Sequence, residues 1–128
     1  MKIFITMILL LISVTTVCVL DGIYTNKIFN TLTTESENIY YSLLETDIEN
    51  EEIQNKITDL NDFWTKKMDT LCISISRKDL QPISDYLQYL YSSITNKNQE
   101  DAITYSKLLY YNAVGLKETT GITLMNLL

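Results

Sequence analysis

Residues 53–75 read IQNKITDLNDFWTKKMDTLCISI, and their apolar side chains recur at steps of three and four residues. The recurring side chains are Ile53, Ile57, Leu60, Trp64, Met68, Leu71 and Ile75. Such steps place side chains on one face of an α-helix, whereas a half-buried strand alternates in steps of two. The acid-to-base pairs Glu52–Lys56 and Asp62–Lys66 favour the same helix. This stretch therefore predicts an amphipathic helix with Trp64 in its buried face.

Two further helices are predicted downstream of this stretch. Asp79 is expected to be the N-cap of the first, which places Pro82 in its first turn, where a missing N–H costs little. Its apolar stripe is Leu80, Ile83, Leu87, Leu90, Tyr91 and Ile94. Asn98 is expected to begin the second, which should end near Gly121 and leave a short apolar tail. Its stripe is Ala102, Tyr105, Leu109, Ala113 and Leu116.

Upstream, a helix is predicted from about Ile28 to Glu45. Its buried face is Ile28, Leu32, Ile39 and Leu43, with Ser36 as a polar gap. Gly22 and the threonine-rich residues 31–34 leave open whether this helix continues from the segment before it. The chain has only three glycines and one proline, too few turn residues for a β-sandwich. The predicted fold is all-α, a small antiparallel bundle of three or four helices.

Residues 3–20, IFITMILLLISVTTVCVL, form an apolar segment without a charge. As a helix it is about 27 Å long, close to the ~30 Å hydrocarbon core of a bilayer. We expect an uncleaved transmembrane signal-anchor within residues 1–24, followed by a helical domain at residues 25–128. The alternatives are a cleaved signal peptide, although residues 17–22 lack a small-x-small cleavage site, and a buried core helix. Lys2 before the segment predicts a single-pass cell-membrane protein with its domain outside the cytoplasm.

Charge and composition limit the function classes. The formal net charge is −6, and an acidic domain disfavours nucleic acid and anionic lipid surfaces as partners. Histidine is absent, which removes the commonest general base and metal ligand. Cys18 lies in the apolar segment and Cys72 in a predicted helix of the soluble part, so no disulfide between them is expected, and two isolated cysteines make no zinc site. We therefore predict no enzyme activity, no cofactor and no metal.

An acidic run at Glu45, Asp47, Glu49, Glu51 and Glu52 suggests a calcium loop at first sight. However, Asn50 stands where such a loop needs glycine, and Lys56 stands where it needs a bidentate glutamate. We interpret the run as a solvated turn between helices.

The tyrosines are the candidate binding residues. The chain has nine of them, and a helical wheel turns Tyr89 and Tyr111 away from the apolar stripes of their helices. Exposed tyrosines are enriched at protein interfaces. We therefore predict that Tyr89 and Tyr111 are exposed and contact a partner protein.

The order of these features resembles a family of short bacterial proteins catalogued as domain of unknown function 4363. The resembling parts are Trp64 in its helix, the junction 72–80 (CISISRKDL), the stripe Ile83, Leu87 and Leu90, and the ending 121–128 (GITLMNLL). The junction here, Ser76-Arg77-Lys78-Asp79, is less acidic than in that family and lacks its frequent histidine. The resemblance implies an N-terminal membrane segment and a place in the bacterial envelope, but no established activity or cofactor.

These observations favour a membrane-anchored interaction or scaffold protein of the cell envelope whose protein partner is unknown, and a homo-oligomer is possible. The alternative is an extracytoplasmic helical domain that senses a small ligand. The sequence shows no cytoplasmic output beyond residues 1–2, which counts against a sensor. An enzyme would need a carboxylate or tyrosine mechanism that no motif in the sequence indicates.

Overall fold

Four α-helices make up the fold: α1 (Lys2–Glu45), α2 (Glu51–Leu71), α3 (Arg77–Thr95) and α4 (Gln99–Leu127). The computed structural model describes the backbone of residues 1–73 and 75–127, and the side chains of residues 1–73 and 75–119. No strand occurs in this part of the chain. The all-α prediction is confirmed, and of the two predicted bundle sizes the described chain has the larger.

The helices form an antiparallel bundle because the turns between them are short. α1 packs against α2 and α4, and α3 packs against the same two neighbours. Within the described backbone, the diagonal pairs α1–α3 and α2–α4 do not approach closely. The first 18 residues of α1 lie outside the packed core of this bundle.

α1 is continuous over 44 residues, about 66 Å at ~1.5 Å per residue. Every side chain from residue 1 to 18 is exposed, whereas Gly22, Thr25 and Ile28 are buried. The alternative that the N-terminal segment is a buried core helix is therefore wrong. The boundary drawn between residues 24 and 25 falls inside this helix. Within the apolar segment, Thr15 Oγ1 and Thr16 Oγ1 each donate to a carbonyl one turn earlier, at 2.8 Å.

The predicted apolar stripes form the core of the bundle. Buried members of the stripes are Ile28, Leu32, Ile39, Leu43, Ile53, Ile57, Leu60, Trp64, Leu71, Leu80, Ile83, Leu87, Leu90, Ala102, Leu109 and Ala113. Met68, Ile75, Ile94, Tyr105 and Leu116 are partly buried against them. Tyr91, also assigned to a stripe, is exposed instead. Phe29 and Ile48 are buried without having been predicted.

Two predicted helix ends are wrong. α3 begins after Ser76, whose hydroxyl accepts from the Lys78 N–H at 3.2 Å, so Asp79 lies in the first turn rather than at the N-cap. Pro82 consequently lies inside the helix. α4 does not end near Gly121 but continues to Leu127. A glycine inside a helix costs only about 1 kcal/mol, and α1 extends far enough to accompany α4 along this length. The predicted start at Asn98 is confirmed, since its Oδ1 accepts from the Asp101 N–H at 3.1 Å.

Gln99 fastens the α1–α2 turn to the start of α4. Its Nε2 donates to the carbonyl oxygens of Leu43 and Thr46, at 2.5 and 3.1 Å. Its Oε1 accepts from the N–H of buried Ile48 at 2.6 Å. Three backbone groups that the helix end and turn would leave unpaired are thereby satisfied by one side chain.

Replacing Gln99 with alanine should lower the free energy of unfolding by about 2–3 kcal/mol, because partly buried backbone groups lose their partners. Thermal unfolding of the full chain in detergent, followed by circular dichroism, measures this loss. Gln81→Ala is the matched control. It removes an exposed Gln81–Asp85 hydrogen bond of 3.0 Å and should change stability by less than about 0.5 kcal/mol. Equal losses for the two variants would contradict a fastening role for Gln99.

Candidate functional site

α4 carries tyrosines on both of its flanks. Leu109 and Ala113 are buried in the core. Because consecutive helical residues are rotated by about 100°, Tyr110 turns toward the seam with α1 and Tyr111 turns outward. Tyr105 turns to the opposite flank, where α3 packs. The two seams of α4 are therefore separate aromatic surfaces.

The seam between α1 and α4 holds a tyrosine patch, which we define as Tyr40, Tyr41, Tyr110 and Tyr111. The rings of Tyr40 and Tyr41 meet edge to face with centroids 5.4 Å apart, and those of Tyr110 and Tyr111 do so at 5.6 Å. With Glu37 and Lys107, the patch lines an open depression of about 230 Å³. Lys107 Nζ lies 6.0 Å from the centroid of the Tyr111 ring. The patch thus presents aromatic area, phenol hydroxyls and one charge of each sign.

The predicted exposure of Tyr89 and Tyr111 is confirmed, since they are 49% and 59% exposed. However, the structure does not bring these two side chains together. Tyr89 lies in the α3–α4 seam, where its ring is tilted by 36° against that of Tyr105, with centroids 5.1 Å apart. Tyr111 belongs to the tyrosine patch. Contact of either residue with a partner remains a prediction.

Sequence reasoning missed Tyr40 and Tyr41, although both belong to the same patch as Tyr111. The signal that could have found them is the Tyr-Tyr doublet, which occurs at residues 40–41 and again at 110–111. In a helix, one member of each doublet can pack along a seam while the other points outward. The structure has this arrangement, since Tyr40 and Tyr110 are partly buried while Tyr41 and Tyr111 are exposed.

A second open depression, of about 510 Å³, runs along the seam between α2 and α3. Its lining residues are Asn61, Trp64, Thr65, Met68, Asp69, Ser84, Gln88 and Tyr91. Trp64 is 1% exposed, so its predicted place in the core is confirmed. Its Nε1–H donates to Ser84 Oγ at 2.7 Å, and that hydroxyl donates to Met68 Sδ at 3.1 Å. The Trp64 side chain is thus packed in the core of the bundle, and the polar side chains beside it line the depression.

The acidic run forms the turn between α1 and α2, and its carboxylates take separate local roles. Asp47 Oδ1 accepts from the Glu49 N–H at 3.0 Å, and Glu49 pairs with Lys97 at 3.6 Å. Asn50 caps α2 by accepting from the Glu52 N–H at 2.9 Å. Among the described residues, no group of three or more acidic or cysteine side chains converges as a metal site would require.

The two cysteines are free thiols at different kinds of position. Cys18 is exposed on the apolar segment, and Cys72 is partly buried directly after α2.

The two depressions offer groups suited to binding: aromatic faces, hydroxyls, amides and exposed charges.

No family model matches the chain, and neither the curated proteins nor the solved structures contain a match.

Proposed function

We propose that the protein is a membrane-anchored interaction or scaffold protein of the bacterial cell envelope, with no catalytic activity of its own. One observation carries the proposal. α1 is a single helix whose first part is apolar and exposed, and whose second part forms the core of the bundle. Such a helix rigidly couples a lipid-facing segment to a recognition domain. The resemblance to the domain of unknown function 4363 family is compatible with this location.

Membrane insertion of α1 is supported by its apolar side chains, which would otherwise be exposed to water. α1 is the one described helix long and apolar enough to cross a membrane, and none of its most apolar window is buried in the fold. Soluble proteins rarely expose apolar patches larger than a few hundred Å². A bilayer would cover this segment at no cost in backbone hydrogen bonds, because a helix satisfies them internally.

Retention of the segment as an anchor is supported by the continuity of α1. Cleavage after the apolar stretch would cut the helix next to Gly22 and Thr25, which are packed in the bundle, and residues 17–22 lack the small-x-small pattern of a cleavage site. With Lys2 on the cytoplasmic side, the bundle would lie outside the cytoplasm.

The tyrosine patch is our proposed partner surface. Tyrosine supplies large contact area with few rotatable bonds, and interface centres are enriched in it. The patch lies in the half of the bundle farthest from the apolar segment, because Tyr40 and Tyr41 are near the end of α1, and Tyr110 and Tyr111 are about 17 Å from the start of α4. That position suits a partner that approaches from the aqueous side.

In-membrane crosslinking followed by mass spectrometry tests the proposal. We expect the same envelope protein to crosslink close to Tyr41 or Tyr111 in repeated experiments. The double variant Tyr41→Ser/Tyr111→Ser should reduce the yield of that crosslink about tenfold or more. Tyr91→Ser is the matched control because it removes an exposed tyrosine that lies outside the tyrosine patch and was not predicted to contact a partner. Only self-crosslinks, or undiminished capture by the double variant, would count against the tyrosine patch as the partner surface.

The alternative, a small-ligand-sensing domain, is favoured by one feature. Both open depressions are lined by polar side chains from two neighbouring helices, and the α2–α3 depression of about 510 Å³ lies within the usual range for ligand sites. A ligand held there would raise the unfolding temperature of the full chain. A metabolite library screened by thermal shift, with Gln88→Ala as the site variant, would separate this function from scaffolding.

A further inference from the structure

The charges of the bundle are distributed unevenly between its two ends. At the end farthest from the apolar segment lie Glu45, Asp47, Glu49, Glu51, Glu52, Glu100 and Asp101, with Lys56 and Lys97 as the basic residues. At the end next to the apolar segment lie Lys27, Lys66, Lys67, Arg77, Lys78 and Lys117, with Asp21, Asp69, Asp79 and Glu118 as the acidic residues. Although the net charge of the chain is −6, the end farthest from the apolar segment (the far end) is acidic and the end next to it (the near end) is basic.

The turn between α2 and α3 lies at the near end, at about the level where the apolar segment meets the bundle. α2 starts beside the end of α1 and, with 21 residues, spans about 30 Å. The part of α1 from Gly22 to Glu45 spans about 35 Å by the same rise. The end of α2 therefore lies within about 5 Å of the level of Gly22, a distance comparable to the thickness of a lipid headgroup layer. A side-chain contact agrees with this level. Lys67, near the end of α2, places its Nζ 5.5 Å from the ring centroid of Tyr24, which is close to Gly22 on α1.

The turn exposes an apolar side chain at about that level. Ile73 is 86% exposed, the highest value after Met1 among the large apolar side chains that the structure describes. On α1, Leu20 and Ile23 are also exposed and lie at about the same level. Lys66, Arg77 and Lys78, all exposed, flank the turn in sequence. Arg77 Nη2 lies 3.7 Å from Asp69 Oδ1, and both side chains are largely exposed. The guanidinium of Arg77 therefore stays accessible in this ion pair.

We propose that the α2–α3 turn is a second membrane contact, in which Ile73 enters the bilayer interface and Lys66, Arg77 and Lys78 meet anionic lipid headgroups. This inference rests on the proposed membrane anchoring of α1. The anchor holds the turn at the bilayer surface, so even weak contacts form at a high effective concentration. The contact would fix the tilt of the bundle and hold the tyrosine patch at a set distance from the membrane.

Tryptophan quenching in reconstituted bilayers tests the contact. The full chain is reconstituted with phosphatidylglycerol and brominated phosphatidylcholine, whose acyl-chain bromines quench nearby indoles. Ile73→Trp should be quenched well beyond the native chain, whose single Trp64 is buried. Leu44→Trp is the matched control, because Leu44 is exposed at the far end and should not be quenched. Flotation with the vesicles is recorded for every sample.

The outcomes separate the inference from the anchoring on which it rests. Flotation with quenching at position 73 alone supports the contact. Flotation without quenching at either position overturns the contact and leaves the anchor standing. Failure of the native chain to float means that the anchoring proposal itself is wrong, and the contact is rejected with it.

The electrostatic part of the contact has its own variants. Each basic side chain near an anionic surface should favour the docked turn about fivefold. The triple variant Lys66→Gln/Arg77→Gln/Lys78→Gln, made in the Ile73→Trp chain, should therefore lose quenching in phosphatidylglycerol-containing bilayers. Lys56→Gln/Lys97→Gln/Lys107→Gln removes the same charge away from the near end and should retain it. Equal quenching for both triple variants would overturn the role of the basic side chains.

Discussion

Replacing Trp64 with alanine should lower the free energy of unfolding by about 3–5 kcal/mol, enough to unfold much of a small bundle. Trp64 is 1% exposed and packs among the side chains of the core, so its removal leaves a large cavity. Urea or thermal unfolding followed by circular dichroism measures the loss, because the variant no longer has a tryptophan to report by fluorescence. A loss below about 1 kcal/mol would contradict a central packing role for this side chain.

The hydrogen bond of Trp64 can be separated from its packing by a double-mutant cycle. Trp64→Phe keeps most of the apolar volume but removes the indole N–H, which donates to Ser84 Oγ at 2.7 Å. Ser84→Ala removes the acceptor and leaves that N–H unpaired, at a cost of about 1–3 kcal/mol. If the hydrogen bond matters, the double variant should be more stable than the sum of the single losses predicts. Strictly additive losses would show that packing alone stabilises this region.

The helical stripes could be predicted from sequence because burial in a bundle follows the period of the helix. Ile53, Ile57 and Leu60 are buried since no other face of α2 is apolar enough to pack. The same period explains why the exposure of Tyr89 and Tyr111 could be predicted. A wheel drawn for one helix gives the direction of a side chain relative to that helix only.

The tyrosine patch could not be derived in this way, because it depends on which helices are neighbours. Tyr41 and Tyr111 are 70 positions apart, and they share a surface only because α4 packs against α1. The same wheel does not show that Tyr89, on α3, and Tyr111, on α4, lie in different seams of the bundle. Tertiary pairing, rather than local pattern, decides the composition of both seams.

Features outside the helical period were also missed. Ile48 stands alone in an acidic turn, so no periodicity marks it, yet it is 1% exposed beneath the Gln99 side chain that accepts from its N–H. At the start of α3, Asp79 and Ser76 are both good caps, and the structure selects Ser76. The net charge likewise gave no sign that the basic residues gather at one end of the bundle.

The apolar segment of α1 should carry the largest effect of any substitution on localisation. Arginine at the centre of a membrane helix costs about 2.5–3.5 kcal/mol, so Leu11→Arg/Ile12→Arg should disfavour insertion by about 5–7 kcal/mol. The native chain should resist carbonate extraction and float with vesicles, whereas this variant should leave the membrane fraction. Tyr41→Arg/Leu44→Arg is the matched control. It adds the same charge at exposed side chains of the same helix, outside the apolar segment, and should remain in the membrane.

The intact mass of the native protein from the membrane fraction distinguishes an anchor from a cleaved signal peptide. An uncleaved anchor retains residues 1–20, and the protein should have the mass of the full chain. Cleavage would leave a shorter protein whose α1 begins close to the buried Gly22 and Thr25, and which no longer floats with vesicles. If the full-length mass is found and the Leu11→Arg/Ile12→Arg variant still floats like the native chain, α1 does not hold the protein through its apolar segment. The membrane attachment would then have to come from the bundle, for which the basic end beside Ile73 is the surface to test.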